Sequence, residues 1–128
     1  MAFQQDMEQA ANRHYEDGRT LFDKDRFDNA GYHFGLAAEC AIKHNLLKRD
    51  AVADDAAIWA HWPELRNLVC QTISGRQAAP ILSLLDRPSP QYMQGWAIGM
   101  RYSANGEVDK RMANRWRDDA NDALGLLL

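Results

Sequence analysis

An all-α fold is predicted for this 128-residue chain by three observations. Long stretches repeat apolar residues at helical spacing, no stretch alternates apolar and polar residues as a half-buried strand does, and Pro and Gly punctuate the chain rather than dominate it. Together they predict a single domain over residues 1–128, built as an antiparallel helical bundle of four main helices plus short helical pieces.

The first helix is expected from about Gln4 to Phe22, with Met7, Ala11, His14, Gly18 and Leu21 on its apolar stripe. The charged turn DKDR (23–26) ends it, and Asp25 or Asp28 could cap the helix that follows. That second helix runs to about Lys48. One side collects Phe27, Ala30, Phe34, Ala38 and Ala41, and nearly opposite lie Tyr32, Leu36, Cys40 and Leu47. A helix apolar on two faces is packed from two sides, so this one should be central, with Gly31 and Gly35 admitting a close neighbour.

Residues 49–62 form a connection, with one helical turn around Asp54–Ile58. Pro63 suits the first position of a third helix carrying Leu65, Leu68, Val69 and Ile73, which Ser74-Gly75 stops. Pro80–Leu85 reads as a short helix, and DRPSPQ (86–91) as a loop because residues before proline leave helical geometry. WAIGMRYSANG (96–106) reads as irregular or briefly extended. From Glu107 a last helix carries Val108, Met112, Trp116, Ala120, Ala123 and Leu127.

Hydrophobic residues make up 46% and charged residues 26%, the balance of an ordinary globular domain. The net charge of −3 disfavours a general phosphate-driven affinity for DNA or RNA, while a local basic patch remains open. No apolar run approaches the roughly 20 residues that span a bilayer, and no membrane association is expected. Cys40 and Cys70 belong to no CxxC pair and read as reduced, packed thiols of a cytoplasmic protein.

The most unusual local feature is Glu39 and Lys43 inside the apolar second helix. Four residues apart, they are neighbours on one helix face in the favourable order. At the edge of the face such a pair is worth about 0.3–0.5 kcal/mol. If Glu39 instead reaches inward, its carboxylate needs further donors, because a buried unpaired charge is costly. Arg101 is the candidate second partner, and Glu39, Lys43, Arg101 and Tyr102 form the expected polar cluster.

The stretch RHYEDGRTLFDKDRFDNAGYHFGLAAECAIKHNLL (13–47) resembles the first helical hairpin of the HEPN family of prokaryotic helical domains. The matching features are Leu21-Phe22 at the end of the first helix, Phe27 and Ala30 after a polar turn, and Ala37-Ala38-Glu39 followed by Lys43. His61 in HWPEL is similar to the start of that family's following helix, and Trp96 with Arg101-Tyr102-Ser103 to the segment before its last helix. The resemblance covers nearly the whole chain. It implies an HEPN-like bundle that often forms homodimers. Many relatives are metal-independent ribonucleases in defence or toxin–antitoxin systems, and others are non-catalytic partners of nucleotidyltransferases or accessory binding domains.

The family's ribonucleases place a His four to six residues after an Arg near the last helices. Metal-free RNA cleavage needs a group to accept the 2′-hydroxyl proton and a cation for the phosphorane. Arg101 lies in the matching place, yet no histidine follows it in the chain. Arg26 and His33 match the spacing but fall in the first hairpin, with backbones about 10 Å apart if both are helical. Among the other imidazoles, His14 reads as a hydrogen-bonded core residue and His44 as outward-facing. His61 reads as a structural hydrogen bond at a helix entrance. No spacing suits a metal site, and no cofactor is implied. Lys110, Arg111, Arg115 and Arg117 are a possible phosphate-contact patch, or else a solvated face balanced by Asp109, Asp118, Asp119 and Asp122.

The sequence therefore leads to a non-catalytic HEPN-like binding or accessory module, expected as a homodimer, with a nucleotidyltransferase-like protein, RNA or a nucleotide as candidate partners. The alternatives are a metal-independent ribonuclease or toxin using Arg101 or the Arg26/His33 pair, and a purely structural helical dimer.

Overall fold

A computed structural model describes residues 3–48, 58–73, 78–88 and 90–127. Among these residues every regular element is helical: α1 (Met7–Asp23), α2 (Phe27–Lys48), α3 (Glu64–Thr72), α4 (Ala79–Leu85) and α5 (Lys110–Leu124), with 3₁₀ turns at Ile98–Tyr102 and Gly125–Leu127. The expected turn at Asp54–Ile58 lies outside the described residues except for Ile58, and the Ser74-Gly75 stop lies wholly outside them.

Helix α1 starts later than its periodicity suggests because Asp6 caps it, accepting the Gln9 N–H at 2.9 Å. The chain turns through residues 24–26, with Asp25 in left-handed geometry at φ 61°. α1 and α2 then pack as an antiparallel hairpin. Phe22 meets Phe27 near the turn, and Tyr15 meets Phe34 further along. Gly18 provides the seat for Phe34: a Cβ there would stand 2.6 Å from the ring. Neither expected aspartate caps α2. Asp28 instead reaches across to accept the Gly106 and Val108 N–H groups at 2.9 and 3.0 Å, tying the approach to α5 onto the start of α2.

α2 is the central helix, packed against both α1 and α5 and touched by both 3₁₀ turns. Its second buried side differs from the expected one. Tyr32, Leu36 and Cys40 are only half-buried and Leu47 is exposed, whereas Gly31, Gly35, Glu39, Ile42, Lys43 and Leu46 are enclosed. Tryptophans explain the shift. The Trp96 ring lies on Gly35, where a Cβ would come within 2.0 Å, and Trp116 lies on Gly31 at 2.8 Å. The indole N–H groups of Trp62 and Trp96 donate to the Gly35 and Gly31 carbonyls at 3.2 and 3.0 Å, and that of Trp116 to the Gln94 carbonyl at 2.9 Å. Two aromatic planes thus take the space that side chains would fill on an ordinary helix.

The segment read as irregular or extended forms the 3₁₀ turn Ile98–Tyr102, anchored by Trp96 against Tyr32. Asp109 caps α5 through the Met112 N–H at 2.8 Å. At its far end, Asn45 of α2 donates to the Leu126 carbonyl at 3.1 Å. No described helix is long and apolar enough to cross a membrane.

Candidate functional site

Glu39 sits in the middle of α2, where burial on the Gly31/Gly35 side leaves it 2% exposed. Its donors come from two elements. Lys43, one turn on, approaches Oε1 at 3.8 Å, its own side chain nearly enclosed. His61 Nδ1 donates to the same oxygen at 2.8 Å, and the Trp62 backbone N–H donates to Oε2 at 2.9 Å. Burial pushes the Glu39 carboxyl above its ordinary range, and the His61 bond, the Lys43 charge and the Trp62 N–H oppose that push. The carboxylate reaches inward and holds residues 61–62 against α2, just before the cis Trp62–Pro63 peptide and the start of α3.

Arg101 is not among these donors. Its guanidinium lies over the Tyr102 ring, 5.3 Å from the centroid, and both residues are exposed, Tyr102 at 82%. The expected four-residue cluster therefore separates into a buried Glu39–Lys43 pair completed by His61 and an exposed Arg101–Tyr102 pair. The Trp96 indole ties the segment before the 3₁₀ turn to the Gly31 carbonyl, about two turns of α2 before Glu39, and the Arg101 side chain is exposed.

The arrangement around Glu39 fixes a tautomer. A carboxylate only accepts, so Nδ1 carries the proton and Nε2 of His61 presents a lone pair from a ring that is partly exposed. Such a nitrogen can accept a proton or a hydrogen bond. Burial pushes the thiol of Cys40, next to Glu39 on α2, up to about 11. Both cysteines are free thiols.

The remaining candidates occupy other surfaces. Arg26 is exposed at the start of α2, lining a cleft of about 360 Å³ with Asp25, Asp28, Asn105 and Gly106. His33 lies two turns along the helix, its Nδ1 3.0 Å from Nδ1 of His14 on α1. His44 Nε2 stands 3.7 Å from Glu8. The four basic residues of the last helix divide. Arg115 donates to the Gln94 carbonyl at 2.8 Å and Arg117 lies over the Phe22 ring, so both serve intramolecular packing, while Lys110 and Arg111 are exposed.

One polar site was not foreseen. Asp119, expected on a solvated face, is buried; Arg87 Nη2 reaches its two oxygens at 3.0 and 3.1 Å, and the Met93 N–H donates to it at 2.9 Å. The Tyr92 hydroxyl donates to its backbone carbonyl. Among the described residues no group of three or more His, Cys, Asp or Glu side chains could hold a metal ion. No family model, curated protein or solved structure matches this chain.

Proposed function

We propose that this chain is a non-catalytic binding or accessory module of HEPN type, a four-helix antiparallel bundle that pairs with a second copy and works in a defence or toxin–antitoxin setting. One observation carries the reading: each of the chain's four imidazoles has a partner, and none of those partners is Arg101. His14 and His33 meet each other, His44 faces Glu8 and His61 binds Glu39. Among the described residues no imidazole pairs with Arg101, so the exposed guanidinium is suited to stabilise an anion and not to take a 2′-hydroxyl proton.

In this reading Glu39, Lys43 and His61 hold the bundle together, and Arg101, Tyr102, Lys110 and Arg111 are the contact residues. Arg and Tyr are enriched among the side chains that anchor protein interfaces. A nucleotidyltransferase-like protein is the partner class that the resemblance suggests.

The test is incubation of the purified full chain with labelled RNA in EDTA, beside Arg26→Ala, His33→Ala and Arg101→Ala variants. Intact RNA throughout is the expected result. Cleavage abolished by Arg101→Ala, or by both Arg26→Ala and His33→Ala, would replace this reading with the ribonuclease alternative. A single monomer mass by light scattering would remove the homodimer from it.

A further inference from the structure

The meeting of His14 and His33 belongs to neither the Glu39 site nor the contact surface, and it joins the two longest helices. The Nδ1 atoms are 3.0 Å apart, the ring centres 5.2 Å apart, and the ring planes 28° from parallel. With centres so much further apart than the facing nitrogens, the rings meet edge to edge along the Nδ1···Nδ1 line. That is the geometry of a hydrogen bond in which one ring donates its Nδ1–H to the bare Nδ1 of the other. Such a bond contains one proton. We propose that this pair is a proton-operated latch on the α1–α2 hairpin, closed when both rings are neutral and opened when the acceptor ring takes up a second proton.

The chemistry follows from the donor count. Protonation of the acceptor Nδ1 consumes its lone pair, so two N–H groups would face each other at hydrogen-bond distance, one of them on a ring that has become cationic. The rings must then separate, by turning of the two half-buried side chains or by movement of the helices that bear them, and either way the link between α1 and α2 is lost. The charges acting on the pair come from α1: Arg13 beside His14 disfavours a second proton, and Asp17 favours one on either ring. From α2 the Tyr32 ring packs against His33 and brings no charge. Burial is the largest influence on both rings. It lowers His14 to about 4, with the neighbouring His33 adding to the effect, and it lowers His33 as well.

The sign is fixed by that direction. An imidazole that titrates lower when folded contributes stability that is complete above the unfolded value of 6.5. It is lost as pH falls from there toward the folded value of about 4. Within this window each such group lowers the folded-to-unfolded ratio by up to about tenfold per pH unit. Glu39 and Asp119 titrate higher when folded, so their contributions change in the opposite direction. His44, 3.7 Å from Glu8, lies on the same hairpin and is unchanged in the comparison below.

The experiment compares urea unfolding of the full chain with that of His14→Phe/His33→Phe at pH 7, 6 and 5, which cancels the contributions common to both. The wild type should lose roughly tenfold more of its folded-to-unfolded ratio over this range than the double variant. Equal losses would overturn the proposal. Should the double variant fail to fold, nitrogen-detected imidazole NMR of the wild type decides. One Nδ1–H shared by two rings that both titrate well below 6.5 is the expected result, and two rings titrating independently near 6.5 would refute the latch.

Discussion

Two buried carboxylates, Glu39 on α2 and Asp119 on α5, perform the same structural task with different partners. Each sits on a helix, is almost fully enclosed, and fastens a non-helical segment through a backbone N–H, Trp62 in one case and Met93 in the other. Burial raises both carboxyls. They differ in where the balancing cation lives. Lys43 is on the same helix as Glu39 and has only 7% of its side chain exposed, whereas Arg87 comes from a loop and is 29% exposed. A cation that cannot reach water makes its carboxylate harder to replace, and the Asp119 site has a cation that can withdraw.

The sharpest test of that difference is replacement by leucine. Glu39→Leu strands the Lys43 ammonium, the His61 Nδ1–H and the Trp62 N–H, and is expected to cost about 3–5 kcal/mol in urea unfolding. Asp119→Leu leaves Arg87 free to turn outward and orphans chiefly the Met93 N–H, for about 1–3 kcal/mol. Equal costs would remove the distinction between an enclosed and a retractable counter-charge.

The aromatic seats of α2 extend the comparison along the helix. Gly35→Ala drives a methyl into the Trp96 ring at 2.0 Å, and Gly31→Ala meets Trp116 at 2.8 Å. Each overpacks an interior, at about 1–3 kcal/mol, with Gly35→Ala the more damaging by thermal melting. Because the Trp62 indole also binds the Gly35 carbonyl, strain there should pass to residues 61–62 and loosen the Glu39 site while leaving the Asp119 site intact. Hydrogen exchange at the Trp62 and Met93 amides reads the two sites separately.

The smallest effect is the pH response of the carboxylates themselves. A carboxyl that titrates higher when folded takes up its proton more readily in the native state. Its contribution to stability therefore grows as pH falls through the folded value toward the ordinary ones of 4.5 for Glu39 and 3.8 for Asp119. Relative to the wild type, Glu39→Gln and Asp119→Asn should each lose urea midpoint between about pH 5.5 and 4, where the carboxyl contribution opposes the loss from His14 and His33. A variant with the full wild-type slope would show that its carboxyl does not titrate in this window.

Legibility in the sequence followed the range of the interactions. The α1–α2 hairpin, the central place of α2 and the close approach at Gly31 and Gly35 were readable because periodicity and small residues are local signals. Glu39 could be singled out because a charge at position i and its counter-charge at i+4 lie on one helix in an apolar setting. Its completion by His61 rather than Arg101 depends on how a connection folds back, which no spacing encodes. Asp119 was hidden for the same reason: among Asp118, Asp119 and Asp122 nothing marks one as buried, and Arg87 lies in a proline-rich loop 32 residues away. The basic residues of α5 read as one patch in a list, yet they spread around the helix, so Arg115 and Arg117 serve packing.

The tryptophans also give the molecule an optical asymmetry. Trp62, Trp96 and Trp116 are at most 2% exposed and each indole has a carbonyl acceptor, whereas Trp59 is 69% exposed. Native emission is therefore the sum of three shielded fluorophores and one solvated one. A dissolved collisional quencher reaches the Trp59 emission first, so a ligand or second protomer covering that end of the molecule announces itself by protecting the red edge of the spectrum.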